Sequence, residues 1–311
     1  MRLKAIIRPL YTLPYEYQVK LLDISVSLFN TFPISKKINY KGYSLKLNSK
    51  DKSSSLIYLS FLIHGKWNHE IFEQEIIDSL ISKSSNVYFI DVGASYGMFT
   101  FLASKHKNVK KIISIEAYKR VYDCLQTNID NNNIDNVNLI NMVVSDVDEE
   151  FYEITEFNNS EWNQFKKSSK ENNTTKSVTL DKIITKYIDN TDDFILIKMD
   201  IEGNEPLALK GLKEFINLNV NIMLEFHVGV LEKNEGGAYE FAEKLLNIEN
   251  SKIFIMHVGF QRLIPITSKE YFFNKISLMK KQNFPNNLFN LLILKEDNTH
   301  LVENYIGEPL L

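Results

Sequence analysis

Val87-Tyr88-Phe89-Ile90-Asp91-Val92-Gly93-Ala94-Ser95-Tyr96-Gly97 is an apolar run that ends in an acid and two glycines four residues apart. Its first four residues are β-branched or aromatic and lack helical periodicity, which predicts a strand buried on both faces. Asp91 then falls at the strand's carboxyl end, where open α/β sheets place their ligands. Gly93 and Gly97 allow a sharp turn and the close approach of backbone to a ligand. Met98, Phe99, Phe101 and Leu102 supply the apolar face of a helix that follows. Strand, glycine loop and helix together predict a nucleotide-type cradle.

The spacing of the loop selects among nucleotides. A dinucleotide fingerprint is Gly-x-Gly-x-x-Gly with a helix N-terminus aimed at pyrophosphate. Here the order is Asp-x-Gly-x-x-x-Gly, with an acid where a diphosphate would be repelled. An acid at this place suits a ligand carrying an ammonium and a sulfonium, which is S-adenosylmethionine. Lys111–Ile115 reads as the next short strand, and Glu116 follows it, 19 residues beyond Gly97. That is close to the distance at which an acid reaches ribose hydroxyls in nucleotide folds. The plainer alternative makes Glu116 a surface acid at the start of the next helix.

Strands expected near 87–92, 111–116, 137–144, 194–200 and 221–226 alternate with helices near 97–106, 118–131, 179–188 and 205–217. Such alternation implies an α/β fold with a largely parallel sheet and right-handed crossovers. Ile253–Val258 and Leu288–Leu294 would add a closing antiparallel pair, for about seven strands. Glu70–Ile81 carries a helical apolar stripe. Residues 1–65 are expected to form an N-terminal cap, with a helix around Gln18–Asn30 and a hairpin over Ile38–Leu47. Residues 66–311 would form the main domain. Two segments break the rhythm: 158–177 is polar and rich in Lys and Asn, and 265–285 is aromatic and basic. Irregular insertions of this length are often lids or substrate loops, and a surface loop is the alternative for the first.

Composition narrows the class. The chain has 311 residues, 44% hydrophobic and 24% charged, as in ordinary globular proteins. A net charge of −3 argues against general nucleic-acid binding. The first fifty residues are the exception: nine Lys or Arg stand against Glu16 and Asp23, a net +7. That surface suits peripheral contact with an anionic membrane face or a polyanionic substrate, or it is simply a solvated basic face. Cys124 is the single cysteine, which excludes an intrachain disulfide and points to a reducing cytoplasm. No apolar run reaches the length of a membrane span, and no signal-type apolar core follows the first basic residues.

Phe194-Ile195-Leu196-Ile197-Lys198-Met199-Asp200-Ile201-Glu202-Gly203-Asn204-Glu205 is a second buried strand running into three acids. Ile222–Phe226 is another, with Glu225 and His227 at its end. If the two are neighbours, four carboxylates and an imidazole share the rim of Asp91 and Glu116. For transfer of an activated methyl group, the protein must position the acceptor and remove its proton. Asp200, Glu202 and His227 are the candidates for that work. Asp200, Glu202, Glu225 and His227 could alternatively hold a divalent cation that acidifies a hydroxyl. Glu205 stands at a helix start, where an acid suits the dipole.

These segments together resemble the FkbM family of S-adenosylmethionine-dependent methyltransferases. Asp91–Thr100 is similar to that family's D-V-G-A-N-x-G-x-x-T, Ile115-Glu116-Ala117 to its I-E-P, and Thr179-Leu180-Asp181 to its T-L-D. Ile197–Glu205 with Gly211 resembles K-I-D-V-E-G-x-E and a trailing glycine, and Leu224–His227 resembles an E-x-H ending. Ser95 stands in place of the usual asparagine and Ala117 in place of proline. The resemblance covers roughly residues 65–295. It implies a Rossmann-like class I methyltransferase fold with helices on both faces, and O-methylation of sugars, glycolipids or natural products. It would put Asp91, Gly93, Ser95 and Gly97 at the cofactor's methionine end, Glu116 on the ribose and Asp146 toward the adenine. A bacterial surface polysaccharide or its lipid-linked precursor is the expected acceptor, and a homo-oligomer fits such an enzyme. Two rivals stand beside this reading: a nicotinamide (NAD)-dependent oxidoreductase on the same fold, and a non-catalytic, partner-binding methyltransferase-like subunit.

Overall fold

The computed structural model describes residues 36–47, 57–58, 60–61, 70–155, 164–169, 171, 174–233, 237–281 and 288–308. The expected helix around Gln18–Asn30 lies outside the described residues. The expected hairpin is present as β1 (Lys36–Tyr40) and β2 (Tyr43–Leu47). Helix α1 (Ile71–Lys83) buries the stripe Phe72, Ile76, Ile77, Leu80 and Ile81. Then β3 (Val87–Val92), buried at every position, leads to α2 (Met98–Ala103), β4 (Val109–Ile115), α3 (Lys119–Asn131) and β5 (Val137–Ile140).

The middle of the chain departs from the simple alternation. β6 (Val143–Val144), β7 (Phe151–Thr155), β8 (Gln164–Ser168) and β9 (Thr175–Val178) form a separate four-stranded sheet, ordered β6-β9-β7-β8. The main path resumes with α4 (Leu180–Tyr187), β10 (Phe194–Met199), α5 (Glu205–Lys210) and β11 (Val220–His227). It closes through α6 (Val228–Leu231), α7 (Gly237–Leu246), β12 (Ser251–His257), β13 (Arg262–Pro265), α8 (Lys269–Lys281), β14 (Leu288–Lys295) and a 3-10 helix over Glu296–Tyr305.

Eight strands make the main sheet, in the order β13-β12-β14-β11-β10-β3-β4-β5. The five from β11 to β5 are parallel, and β14 enters antiparallel between β11 and β12. This is the expected Rossmann-like class I methyltransferase fold, with one more strand than the sequence suggests. Alternation along the strands loads two cores. Ile90, Val92, Ile197, Met199, Ile222 and Leu224 pack with α4, α7 and α8 on one face. Phe89, Leu196 and Met223 pack with α1 and α2 on the other. Asp91 and Lys198 are register partners and share the α1–α2 face.

Three expectations need correction. The strand read over 137–144 breaks at Ile140, because Asn141 turns its amide onto the carbonyls of Glu116 (2.8 Å) and Ala117 (2.9 Å). Val143–Val144 then pairs with β9 instead of continuing the main sheet. The polar 158–177 segment is not simply a loop, since β8 and β9 lie in it and Tyr152 of β7 buries beside them, bonded to Ser145 at 2.9 Å. The 265–285 segment contains helix α8, whose i, i+4 pair Phe272 and Ile276 is buried. Phe272 packs 5.6 Å from Phe226 and 6.2 Å from Phe289, so it belongs to the core.

Candidate active site

The loop after β3 holds three left-handed residues within five positions: Gly93 (φ 76°), Ser95 (φ 50°) and Gly97 (φ 86°). A Cβ on Gly93 would come 1.9 Å from the carbonyl oxygen of Asp200. One on Gly97 would come 2.5 Å from Leu125 and 3.0 Å from Phe101. Both glycines are therefore demanded by the chain's own packing as well as by their positive φ. Gly93 and Ala94 donate their N–H groups to Ile115 at 2.9 and 3.0 Å, binding the loop to the end of β4.

Ser95 is the strained member, since a side chain in the left-handed region costs about 1–2 kcal/mol. Its N–H donates to Glu116 Oε2 at 2.8 Å, and Tyr118 N–H donates to Glu116 Oε1 at 2.8 Å. Glu116 is half-buried at the strand end. It braces the loop across two segments, a duty added to the ribose role expected of it. Asp91 is fully enclosed. Its Oδ2 accepts from Thr100 Oγ1 at 2.6 Å, and Thr100 in turn meets Ser114 at 2.7 Å. Its Oδ1 has no hydrogen-bond partner among the described residues, which is uncommon for a buried acceptor. Burial raises the Asp91 pKa, with Lys198 opposing.

Asp146 stands past β6 and accepts a hydrogen bond from Lys210 at 2.6 Å. Burial disfavours its charge, but Lys210 outweighs that and lowers its pKa. Because the third parallel strand ends at Ile140, Asn141 rather than Asp146 occupies the position just beyond it.

The acidic residues do converge, because β10 and β11 are adjacent and in register, Met199 beside Leu224. Beyond β10 the chain turns through Glu202 (φ 58°) and Gly203 (φ 98°). The buried Glu205 carboxylate accepts the Ile201 N–H at 3.0 Å, so its task is to fix this turn. His227 Nε2 lies 2.8 Å from Glu225 Oε2 and 3.7 Å from Glu202 Oε2. Lys198 Nζ lies 3.2 Å from Asp200 Oδ2 and 5.0 Å over the Phe99 ring. The His227 side chain is only 3% exposed against 27% for Asp200 and 20% for Glu225, so His227 reaches an acceptor only through its neighbours.

Electrostatics separates the acids. Burial disfavours ionisation of Asp200, yet the Lys198 ammonium beside it holds its pKa below the ordinary value. Burial, then the charge of Asp200, pushes Glu225 up to about 7. Burial and the neighbouring carboxylates raise Glu202 well above its ordinary range, and burial lifts Glu205 to about 7. Burial works against protonation of His227, but its bond to Glu225 prevails and raises its pKa. Of the four residues expected to ligate a metal, Glu202, Glu225 and His227 offer donor atoms within 4.8 Å of one another. Asp200 lies outside that trio, held by Lys198. Two carboxylates and an imidazole suit a divalent cation in donor type.

Sequence reasoning gave no role to Glu73 and Asn290, which meet at 2.6 Å, or to Lys198. These three, with Phe99, Asp200 and Glu225, line a small pocket between α1, α2 and the ends of β10, β11 and β14. Lys198 had a visible signal: an ammonium inside a strand otherwise buried and apolar.

A glycine loop after the first parallel strand, an acid closing the second and a carboxylate cluster beyond the fourth define a methyltransferase of the Rossmann-like class. The chain belongs to the methyltransferase FkbM domain family, which matches residues 91–254, more than half its length. Comparison with curated proteins finds no match. Among solved structures, the chain is similar to the methyltransferase FkbM of Methylobacillus flagellatus KT, with 14% identity and a TM-score of 0.43 over 78% of this chain and 54% of that one. SMU.1697c of Streptococcus mutans, solved with SAH, gives 13% identity and a TM-score of 0.40 over 71% and 96%. TYW2 of M. jannaschii, solved with AdoMet, gives 12% and 0.38 over 84% and 86%.

Proposed function

We propose that this chain is an O-methyltransferase that uses S-adenosylmethionine to methylate a hydroxyl of a sugar or glycolipid, in the cytoplasm, during surface polysaccharide assembly. When bound, the cofactor supplies an activated methyl group and needs no further electrophilic help. The residues fit it: the braced 93–97 loop, Glu116 at the end of β4 and the orphaned Asp91 Oδ1 form a cradle with acceptors for a cationic ligand. The single observation that carries the reading is the Glu225–His227 pair at 2.8 Å, on the strand next to the Asp200 turn that seats against that loop.

In this reading Glu225 is the general base. A carboxylate with a pKa near 7 combines adequate basicity with adequate ionisation at neutral pH. Glu225 takes the acceptor's proton, and the enclosed His227 fixes its carboxylate and stabilises its charge. Asp200, held ionised by Lys198, orients the acceptor. The catalytic set thus shifts from Asp200, Glu202 and His227 toward Glu225. The N-terminal cap would shield the cofactor loop, because the hairpin packs on Ala94, Tyr96 and Met98.

The Glu202–Glu225–His227 trio favours one second reading, in which a divalent cation acidifies the hydroxyl. Full turnover after exhaustive chelation would dismiss it. The test of the main reading is calorimetric titration with S-adenosylmethionine, with NAD as competitor, followed by methyl transfer from labelled cofactor to glycan acceptors. Binding of S-adenosylmethionine with methyl incorporation supports it. Binding of NAD alone would restore the oxidoreductase alternative, and binding of neither would favour a non-catalytic subunit. No helix among the described residues is long and apolar enough to cross a membrane, so contact with a lipid-linked acceptor would be peripheral.

A further inference from the structure

The pocket beneath α1 has a composition that the methyl-transfer reading does not use. Among the described residues, four carboxylates, Glu70, Glu73, Asp200 and Glu225, line it together with one ammonium, Lys198. Lys198 is committed to Asp200 at 3.2 Å. On the other side, Glu73 is 4% exposed and gives one oxygen, Oε1, to the Asn290 amide at 2.6 Å. Its second oxygen, Oε2, is buried with no hydrogen-bond partner among the described residues. Glu73 lies on the buried stripe of α1, between Phe72 and Ile76, where a carboxylate costs stability unless something pairs with it.

Geometry ties this orphan to the proposed base. Asn290, which holds Glu73, is the register partner of Glu225 across β14 and β11. The unpaired oxygen and the candidate base thus line one pocket, with the Asn290 amide fixing the first. Among the described residues, a guest there meets hydrogen-bond acceptors on both sides, and the one ammonium lining the pocket is paired with Asp200. Neutral hydroxyls can donate to such acceptors, but only a cation also balances the excess of carboxylates.

We propose that the acceptor of this enzyme carries a protonated primary amine near its reactive hydroxyl, as an amino sugar does, and that Glu73 receives the amine in this pocket. This rests on the methyltransferase reading for the identity of the reacting hydroxyl, and Glu73 itself touches only the amine. Recognition involves no covalent step: the ammonium donates to Glu73 Oε2, and the adjacent hydroxyl turns to Glu225.

The test is calorimetric titration of the full chain, with and without SAH, using glucosamine, N-acetylglucosamine and glucose as probes. The expected result is a preference for glucosamine of about tenfold or more over both neutral sugars, as for a buried charge-assisted contact. Glu73→Gln, verified as folded by its melting transition, should abolish the preference while leaving SAH affinity unchanged. Equal binding of the three sugars, binding of none, or a preference that survives in Glu73→Gln would overturn the proposal. A fall in SAH affinity in Glu73→Gln would overturn it too, by assigning the pocket to the cofactor's own ammonium. Failure of the methyltransferase reading shows separately, as absence of SAH binding by the unaltered chain.

Discussion

Gly93 and Asp200 touch through their backbones: a Cβ built on the glycine would stand 1.9 Å from the carbonyl oxygen of the acid. The 93–97 loop and the first residue of the acidic turn are thus mutually seated. Gly93→Ala should displace both, costing roughly 3 kcal/mol or more through overpacking and a strained φ. Gly42→Ala is the control, because Gly42 also has a positive φ (97°) but nothing lies within 4 Å of the added Cβ. Its cost should be about 1–2 kcal/mol, from φ alone. Urea denaturation of the two variants measures the difference.

Glu225→Gln should lower kcat roughly 100- to 10,000-fold, the range associated with loss of a general base, with little change in cofactor affinity. The native enzyme's rate should climb with pH as Glu225 ionises, with a midpoint at about 7, and level off above it. A pH–rate profile of both proteins checks this. An unchanged ascending limb in the variant would move the base to another group.

Glu205 offers a stability test with a defined sign. Its pKa in the folded chain is raised from 4.5 to about 7, chiefly by burial. The fold therefore binds this proton more tightly than the unfolded chain does. The associated stabilisation is complete below pH 4.5 and is lost as pH rises through 7. The shift corresponds to on the order of 3 kcal/mol. Glu205→Gln keeps an oxygen for the Ile201 N–H and removes the titration. Its stability relative to the native chain should improve from pH 5 to pH 8, as measured by denaturant midpoints.

Thr100→Val removes the hydroxyl between Asp91 and Ser114, leaving a buried carboxylate with neither oxygen bonded by a side chain. A loss of about 2–3 kcal/mol should follow. Saturating S-adenosylmethionine should recover part of it, because a bound cation offers Asp91 a new partner. Melting curves with and without cofactor give the comparison.

Local chemistry made much of this molecule readable. The Asp91–Gly97 loop, Glu116 and the Asp200–Glu205 turn each lie within one short segment whose apolar strand announces them. Long-range contacts hid the rest. Glu73 and Asn290 are 217 residues apart and meet only because α1 packs across β14. The break at Ile140 was invisible because Val143 and Val144 prolong the apolar run, and only the Asn141 amide and β9 redirect it. The irregular look of 265–285 hid the period of α8, which turns Phe272 and Ile276 inward. The different charge states of Asp200 and Glu225 were hidden as well, because a buried lysine, not their spacing, holds Asp200 ionised while burial raises Glu225.

The order of the main sheet has a bearing on how this enzyme could be dissected. β14 threads between β11 and β12, so the sheet is completed by residues that follow the family-matched segment by more than thirty positions. That segment also opens at Asp91, inside β3, leaving the first four of that strand's six residues outside it. The stretch that evolution keeps recognisable is accordingly narrower than the stretch that must condense cooperatively. An excised 91–254 fragment would carry the chemical signature of the family without the strand that joins its last strand to the others.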